Sequence, residues 1–300
     1  MKKHAGPSPL AMGATLYVPA THPALAEIVS GERVPGLRSL IICLEDAVLN
    51  HEVPQALENV ERALFRIGKH SPWCFIRPRT PAMLSDLLGV SGISAVSGFA
   101  LAKATIDEVD YAITLLRERP AFQVMPILET EQIFDARHMR RMARFLTHPE
   151  IRPFILMARI GGNDLLRCLG LRRDLTQTIY ESPVGHVIAQ LVTTFLPQGI
   201  MLSSPVFDGL GDFGVLRAEV QRDLAYGLFT KTAAHPAQVA TIQASYRPSQ
   251  AEIEMAEALL APNAPAVFRL HDRMCESTVH TAWAKQIIQR WQLFGSITTS

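Results

Sequence analysis

Eight short apolar runs, each followed by an amphipathic stretch, constrain this chain more than any other feature. The runs are Thr15 to Ala20, Ser39 to Asp46, Cys74 to Arg79, Gly98 to Lys103, Gln123 to Thr130, Phe154 to Gly162, Gly199 to Val206 and Gly227 to His235. None alternates cleanly between apolar and polar residues, as expected of parallel strands covered on both faces. The intervening segments, such as VPQALENVERALFRI and TIDEVDYAITLLRER, carry helical periodicity. Eight strand–helix units match a (β/α)8 TIM barrel in number and length. An open doubly wound sheet shares the alternation, and periodicity alone does not show closure.

The pattern changes after the eighth unit. Ser249 and Glu252 form a capping box that opens a helix over QAEIEMAEALL. Two short strands are expected around a His271–Asp272 turn, followed by a last helix. We therefore expect a barrel domain over 1–245 and a C-terminal lid and oligomerisation extension over 246–300.

Composition narrows the functional classes. Hydrophobic residues make up 48% of the 300 and charged residues 19%, which suits a large folded core. The formal net charge of +1 gives no bulk electrostatic footprint for nucleic acid. No run approaches a membrane span, and residues 1–14 lack the apolar stretch of a secretory signal. Cys43, Cys74, Cys168 and Cys275 are scattered without a CxxC pair, which fits a reducing, cytoplasmic setting. No HExxH or GxSxG arrangement is present.

In a barrel, reactive groups gather where strands end. The expected strand ends are polar: Glu45 and Asp46 on the second, Arg77 and Arg79 on the third, Lys103 on the fourth, and Glu129 on the fifth. The sixth runs into Gly161, Gly162, Asn163 and Asp164, and Lys231 and His235 lie near the eighth. Glu129 and Asp164 could together hold one Mg²⁺, which needs only one or two carboxylates besides substrate oxygens and water. Such an ion could chelate an oxo acid, and Arg77 could neutralise a carboxylate or a developing oxyanion. Barrel-mouth salt bridges are the competing reading. The glycines Gly209, Gly211 and Gly214 form a GxGxxG pattern after the seventh run, but too late in the chain to open a dinucleotide domain. Arg137, Arg140, Arg141 and Arg144 share one helical face, which reads as solvated or interfacial.

These segments also resemble a known family. LYVPATHPALAEI, IICLEDAV, FIRPR, GFALAK, PILET, IGGNDLLRCLGLRRD, GLFTKTAAHPAQVATI and YRPSQAEIEMAEALL follow, in order and over nearly the whole chain, the motifs of the citrate lyase β-subunit-like enzymes of the HpcH/HpaI aldolase superfamily. The resemblance implies Glu129 and Asp164 as ligands of Mg²⁺ or Mn²⁺, with Arg77 as the catalytic arginine and Glu45 and Asp46 as further catalytic residues that line the mouth and support the metal waters or Arg77. It further implies a substrate contact surface drawn from Arg77, Arg79, Gly162, Asn163 and Pro205. HDRMCE is similar to the family's lid segment and places Glu276 as a general acid–base acting on a neighbouring subunit of a trimer or hexamer. The implied activity is carbon–carbon lyase chemistry on a small oxo or hydroxy acid or its acyl-CoA thioester. A diverged binding or assembly subunit that keeps the metal site, or an aldolase with a non-CoA substrate in a specialised pathway, are the alternatives. Cys43 stands where the family has an aspartate, Arg79 where it has an asparagine, and Glu276 where the lid has an aspartate. One carboxylate fewer and one cation more at the mouth would suit a more anionic substrate.

Overall fold

The computed structural model describes residues 7–119 and 121–297, so part of the N-terminal segment discussed above lies outside the described residues. The chain divides into two compact units, the first running up to Val239 and the second from Ala240.

The first unit is a closed barrel of eight parallel strands in sequence order. They are β1 (Ala14–Pro19), β2 (Ser39–Cys43), β3 (Trp73–Arg77), β4 (Gly98–Leu101), β5 (Gln123–Leu128), β6 (Ala158–Ile160), β7 (Leu202–Phe207) and β8 (Lys231–Ala233). Pairing of Ala14 with Lys231 and of Leu16 with Ala233 closes the ring and excludes the open sheet. The helices in chain order are α1 (Leu25–Ser30), α2 (Val53–Leu64), α3 (Pro81–Leu87), α4 (Ile106–Leu116), α5 (Ala136–Leu146), α6 (Gly162–Cys168), α7 (Pro183–Phe195), α8 (Gly214–Ala225) and α9 (Pro236–Ser245). Local chemistry starts several of them. Thr105 and Glu108 make a reciprocal capping box for α4, Thr80 accepts from the Met83 amide at α3, and Asp135 accepts from the Arg137 amide at α5. Gly98 has φ +151°, and a Cβ there would collide with the Gln123 carbonyl oxygen, so β4 approaches β5 only as glycine.

Met12, Ile41, Phe75, Ala100, Met125, Ile127, Leu156 and Met157 form one buried apolar cluster, with Tyr17 and Trp73 packed against it. Each fully buried large side chain contributes about 1.5–3 kcal/mol. On α5, Met139, Met142, Ala143 and Leu146 are buried while Arg137, Arg140, Arg141 and Arg144 are exposed on the outer face. The GxGxxG segment is the loop into α8: the Gly214 amide donates to Asp212 Oδ1 (3.0 Å) and the Gly209 carbonyl accepts from Gln238 Nε2 (2.9 Å).

Lys231 does not join the mouth. It is fully buried and its ammonium contacts Glu219 Oε1 (2.8 Å) and Asp223 Oδ2 (3.0 Å), both on α8. Arg173 also pairs with Glu219, and the Tyr180 and Ser204 hydroxyls donate to Asp223 at 2.6 and 2.9 Å. These contacts lock α8 onto β7 and β8.

In the second unit, α10 (Gln250–Leu260) opens with the expected Ser249–Glu252 capping box. Strands β9 (Val267–Leu270) and β10 (Arg273–Glu276) pair antiparallel. His271 and Asp272 between them have φ of 48° and 59°, the two left-handed residues of a tight hairpin turn. The last helix, α11 (Ser277–Phe294), packs with α10 through Ile253, Ala256, Leu259, Ala284 and Ile287. Among the described residues no helix is long and apolar enough to cross a membrane.

Lys231→Met should destabilise the barrel unit by about 3 kcal/mol, because it leaves buried Asp223 with hydroxyl donors but no cation and Glu219 with Arg173 alone. Urea unfolding at neutral pH measures this, and a loss below about 1 kcal/mol would show that the ion network is not holding α8.

Candidate active site

The ends of the barrel strands enclose a cavity of about 400 Å³. Its wall includes Tyr17, Cys43, Asp46, Arg77, Glu129, Arg159, Gly161, Gly162, Asn163, Asp164, Val206 and Thr232. Arg77, Asp46, Glu129, Gly162, Asn163 and Asp164 of the expected set therefore meet at one place.

Glu129, just past β5, is 3% exposed. Its Oε1 accepts the Lys103 backbone amide at 2.7 Å, and it has no ion-pair partner among the described residues. Lys103 delivers that amide from a left-handed conformation (φ 49°), an uncommon state for a residue with a Cβ. Burial, and next the charge of Asp164, push the Glu129 carboxyl up to about 8. Gly161 is needed beside it, since a Cβ at that position would collide with the Glu129 carboxylate. Asp164 enters from the first turn of α6, where its Oδ1 accepts from Arg167 Nε and NH2 at 3.2 and 3.1 Å. Two carboxylates on one cavity wall, one of them buried and without an ion-pair partner among the described residues, are a donor set suited to a hard divalent cation. Among the described residues, no group of three or more His, Cys, Asp or Glu stands ready for a metal, so any ion here rests on this pair and on other oxygens.

Arg77 closes β3 and is 8% exposed. Its NH2 lies 2.8 Å from Glu45 Oε2, 3.6 Å from Asp46 Oδ2 and 3.2 Å from Cys43 Sγ, and its guanidinium sits 5.4 Å from the Tyr17 ring centroid. Glu45 is a brace rather than a wall of the cavity: its other oxygen contacts the Lys103 ammonium, which also reaches Asp46 at 3.3 Å. Burial raises the Asp46 carboxyl, but the hydrogen bond with Glu45 and the charges of Lys103 and Arg77 outweigh it and hold the group below its ordinary value. Asp46 thus stays ionised at the rim. Burial raises Tyr17, which stays a neutral phenol.

Two expected substrate contacts fall elsewhere. Arg79 does not line the cavity: it turns onto the β2–α2 loop, donating to Asn50 Oδ1 (2.7 Å), the Val48 carbonyl and the Glu45 carbonyl (3.4 Å). Its extra cation secures backbone, because Pro78 carries the chain past the end of β3. Pro205 supports from behind, placed where a Cβ on Gly162 would come within 2.7 Å of it. A register irregularity between Ser204 and Phe207 brings Val206 to the cavity instead. Glu276 ends β10 in the second unit, where its amide donates to His280 Nδ1 at 3.1 Å. The sequence reading missed Tyr17, Arg159 and Thr232. For Arg159 a signal existed, a lone cation inside the apolar run FILMARIGG.

A (3S)-malyl-CoA thioesterase of Cereibacter sphaeroides is 26% identical over 249 residues, covering 82% of this chain and 81% of that protein. CitE from Mycobacterium tuberculosis, solved with magnesium, acetoacetate and coenzyme A, matches with a TM-score of 0.70 at 22% identity, over 94% of this chain and 98% of that one. A citrate lyase from Burkholderia xenovorans gives a TM-score of 0.73 at 17% identity, over 96% and 94% of the two chains. RipC from Yersinia pestis gives 0.62 at 21% identity, over 81% and 99%. Those structural likenesses establish the fold. The family described as C–C bond lyases of the TIM-barrel fold matches residues 6–296, and the chain belongs to it.

Proposed function

We propose that this protein is a Mg²⁺-dependent carbon–carbon lyase of retro-aldol or Claisen type, acting on a small oxo or hydroxy acid or its acyl-CoA thioester. The observation that carries the proposal is the convergence of Glu129 and Asp164 on one cavity beside the Arg77 guanidinium. The buried Glu129 carboxylate lacks an ion-pair partner among the described residues, and a divalent cation would offset that cost. Mn²⁺ has similar ligand preferences. The magnesium and coenzyme A held by the Mycobacterium tuberculosis CitE structure support the same ion and substrate class here.

Glu129 and Asp164 would hold the ion, which when bound supplies Lewis acidity toward the oxygens of the acid. In the cleavage direction, the hydroxyl proton leaves to a base, that oxygen becomes a carbonyl, and the carbon–carbon bond breaks. The released electron pair becomes an enolate, whose carbon then takes a proton. Arg77 is preorganised for the enolate oxygen, because Glu45 and the Tyr17 ring fix its guanidinium before substrate arrives. The proton-transfer role of Glu276 belongs to the same proposal and rests on the likeness of HDRMCE, as does assembly into a homo-oligomer. The name of the Cereibacter relatives favours a second reaction at the same site, hydrolysis of a malyl-CoA thioester. Product analysis separates the two: cleavage yields two carbon fragments, hydrolysis yields free acid and thiol.

Glu129→Ala and Asp164→Ala should each abolish Mg²⁺ binding in calorimetry and lower kcat/KM by at least about 100-fold, or about 2.7 kcal/mol, with an unchanged circular dichroism spectrum. Full turnover by either variant in the presence of a chelator would defeat the assignment. The metal-free protein offers a second check. Glu129 has a folded pKa raised from 4.5 to about 8, so the folded state holds the extra proton across that window. Stability of the metal-free protein should therefore fall as pH rises from 4.5 toward 8. Glu129→Gln should remove that part of the slope and give a metal-free protein more stable than the parent at alkaline pH, read from thermal unfolding.

A further inference from the structure

Arg159 is one of the largest fully buried side chains, at 1% exposure, yet it lines the cavity. Its place in β6, paired in register with Ile127 and Ser203, sends the guanidinium into the barrel lumen. There NH2 donates to Thr232 Oγ1 at 2.7 Å, while NH1 lies 3.5 Å from Thr15 Oγ1 and 3.9 Å from Met125 Sδ. The Tyr17 ring lies 5.6 Å from the guanidinium carbon, and Nε is buried without a hydrogen-bond partner. Every one of these neighbours is neutral. The buried Arg77 and Arg173 are each matched by a glutamate, but Arg159 meets no carboxylate within 4.0 Å among the described residues. Arginine keeps its proton, so this charge cannot be shed on burial. A desolvated cation facing a cavity is compensated most directly by an anion in that cavity, and the planar guanidinium suits a carboxylate.

We propose that Arg159 and Thr232 form an anion subsite on the floor of the cavity, which takes a second carboxylate of the substrate and selects dicarboxylic oxo or hydroxy acids over monocarboxylic ones. The subsite is separate from the Glu129–Asp164 pair, which would handle the oxo or hydroxy oxygen and the first carboxylate. This inference rests on the function proposed above and specifies its substrate class. The Tyr17 ring centroid is 5.4 Å from the Arg77 guanidinium carbon and 5.6 Å from that of Arg159, so the two cations border one cavity and would address different ends of a short acid.

Calorimetry with (S)-malate and (S)-lactate, which differ only in the second carboxylate, tests the subsite. Titrations are run with the full-length protein in Mg²⁺, for the parent, Arg159→Met, Arg159→Lys and Thr232→Val. The parent should bind malate at least about tenfold more tightly than lactate. Arg159→Met should bring malate to within about threefold of lactate and leave lactate unchanged, with Arg159→Lys and Thr232→Val in between. An unchanged malate-to-lactate ratio in Arg159→Lys and Thr232→Val would overturn the subsite even if Arg159→Met fails to fold. Equal binding of both acids by the parent, or no binding of either, would overturn it as well. Repeating the parent titrations without Mg²⁺ reads the function proposal separately: malate preference that persists while the metal has no effect would sink the metal assignment and spare the subsite.

Discussion

One carboxylate organises the mouth of this barrel. Glu45, at the end of β2, holds the Arg77 guanidinium with one oxygen and the Lys103 ammonium with the other. Lys103 in turn gives its backbone amide to Glu129 from a left-handed conformation that would be costly without such anchoring. The cation that would face substrate and the carboxylate that would face metal are thus two ends of one connected network across β2, β3, β4 and β5. Because Glu45 and Arg77 are both buried, the pair between them is screened little by salt, whereas the half-exposed Lys103 pair is screened more. Removing it would disturb both ends together.

Much of this was legible in the sequence because parallel barrels make the order of strand ends the order of the site. Each apolar run contains a strand, and the residues after it arrive at the mouth in turn, which is why Arg77, Glu129 and Asp164 could be named before any geometry. Boundaries were less legible. The run Phe154 to Gly162 contains only a three-residue strand, Ala158–Ile160, because the turn Arg152–Phe154 takes up its start. The run from Gly227 likewise narrows to Lys231–Ala233.

Side-chain direction was illegible for a physical reason. Strands apolar on both faces erase the period of two that separates lumen from shell. The sequence therefore does not show that Lys231 points to α8 while Arg159 points inward. A single irregularity in β7 puts Val206 rather than Pro205 on the cavity wall, which no pattern in the sequence signals. Arg79 lies two residues beyond the end of β3, where the chain has already turned toward the next helix and backbone carbonyls compete for its guanidinium.

The protein buries charge in two different ways, and the contrast indicates what each cluster is for. Around α8, Lys231 and Arg173 are matched by Glu219 and Asp223, and the remaining oxygens are taken by Tyr180, Ser204 and the Ile179 amide. Such a closed set needs nothing from outside and fixes one packing of the helix on its strands. In the cavity the matching is left open. Among the described residues Glu129 has one amide and no paired cation, and Arg159 has hydroxyls and no paired anion. Leaving them so lowers the stability of the empty protein, and a ligand carrying a cation and an anion at the right separation would recover it. A hydroxy acid with two carboxylates, chelated to a divalent ion, has that charge pattern.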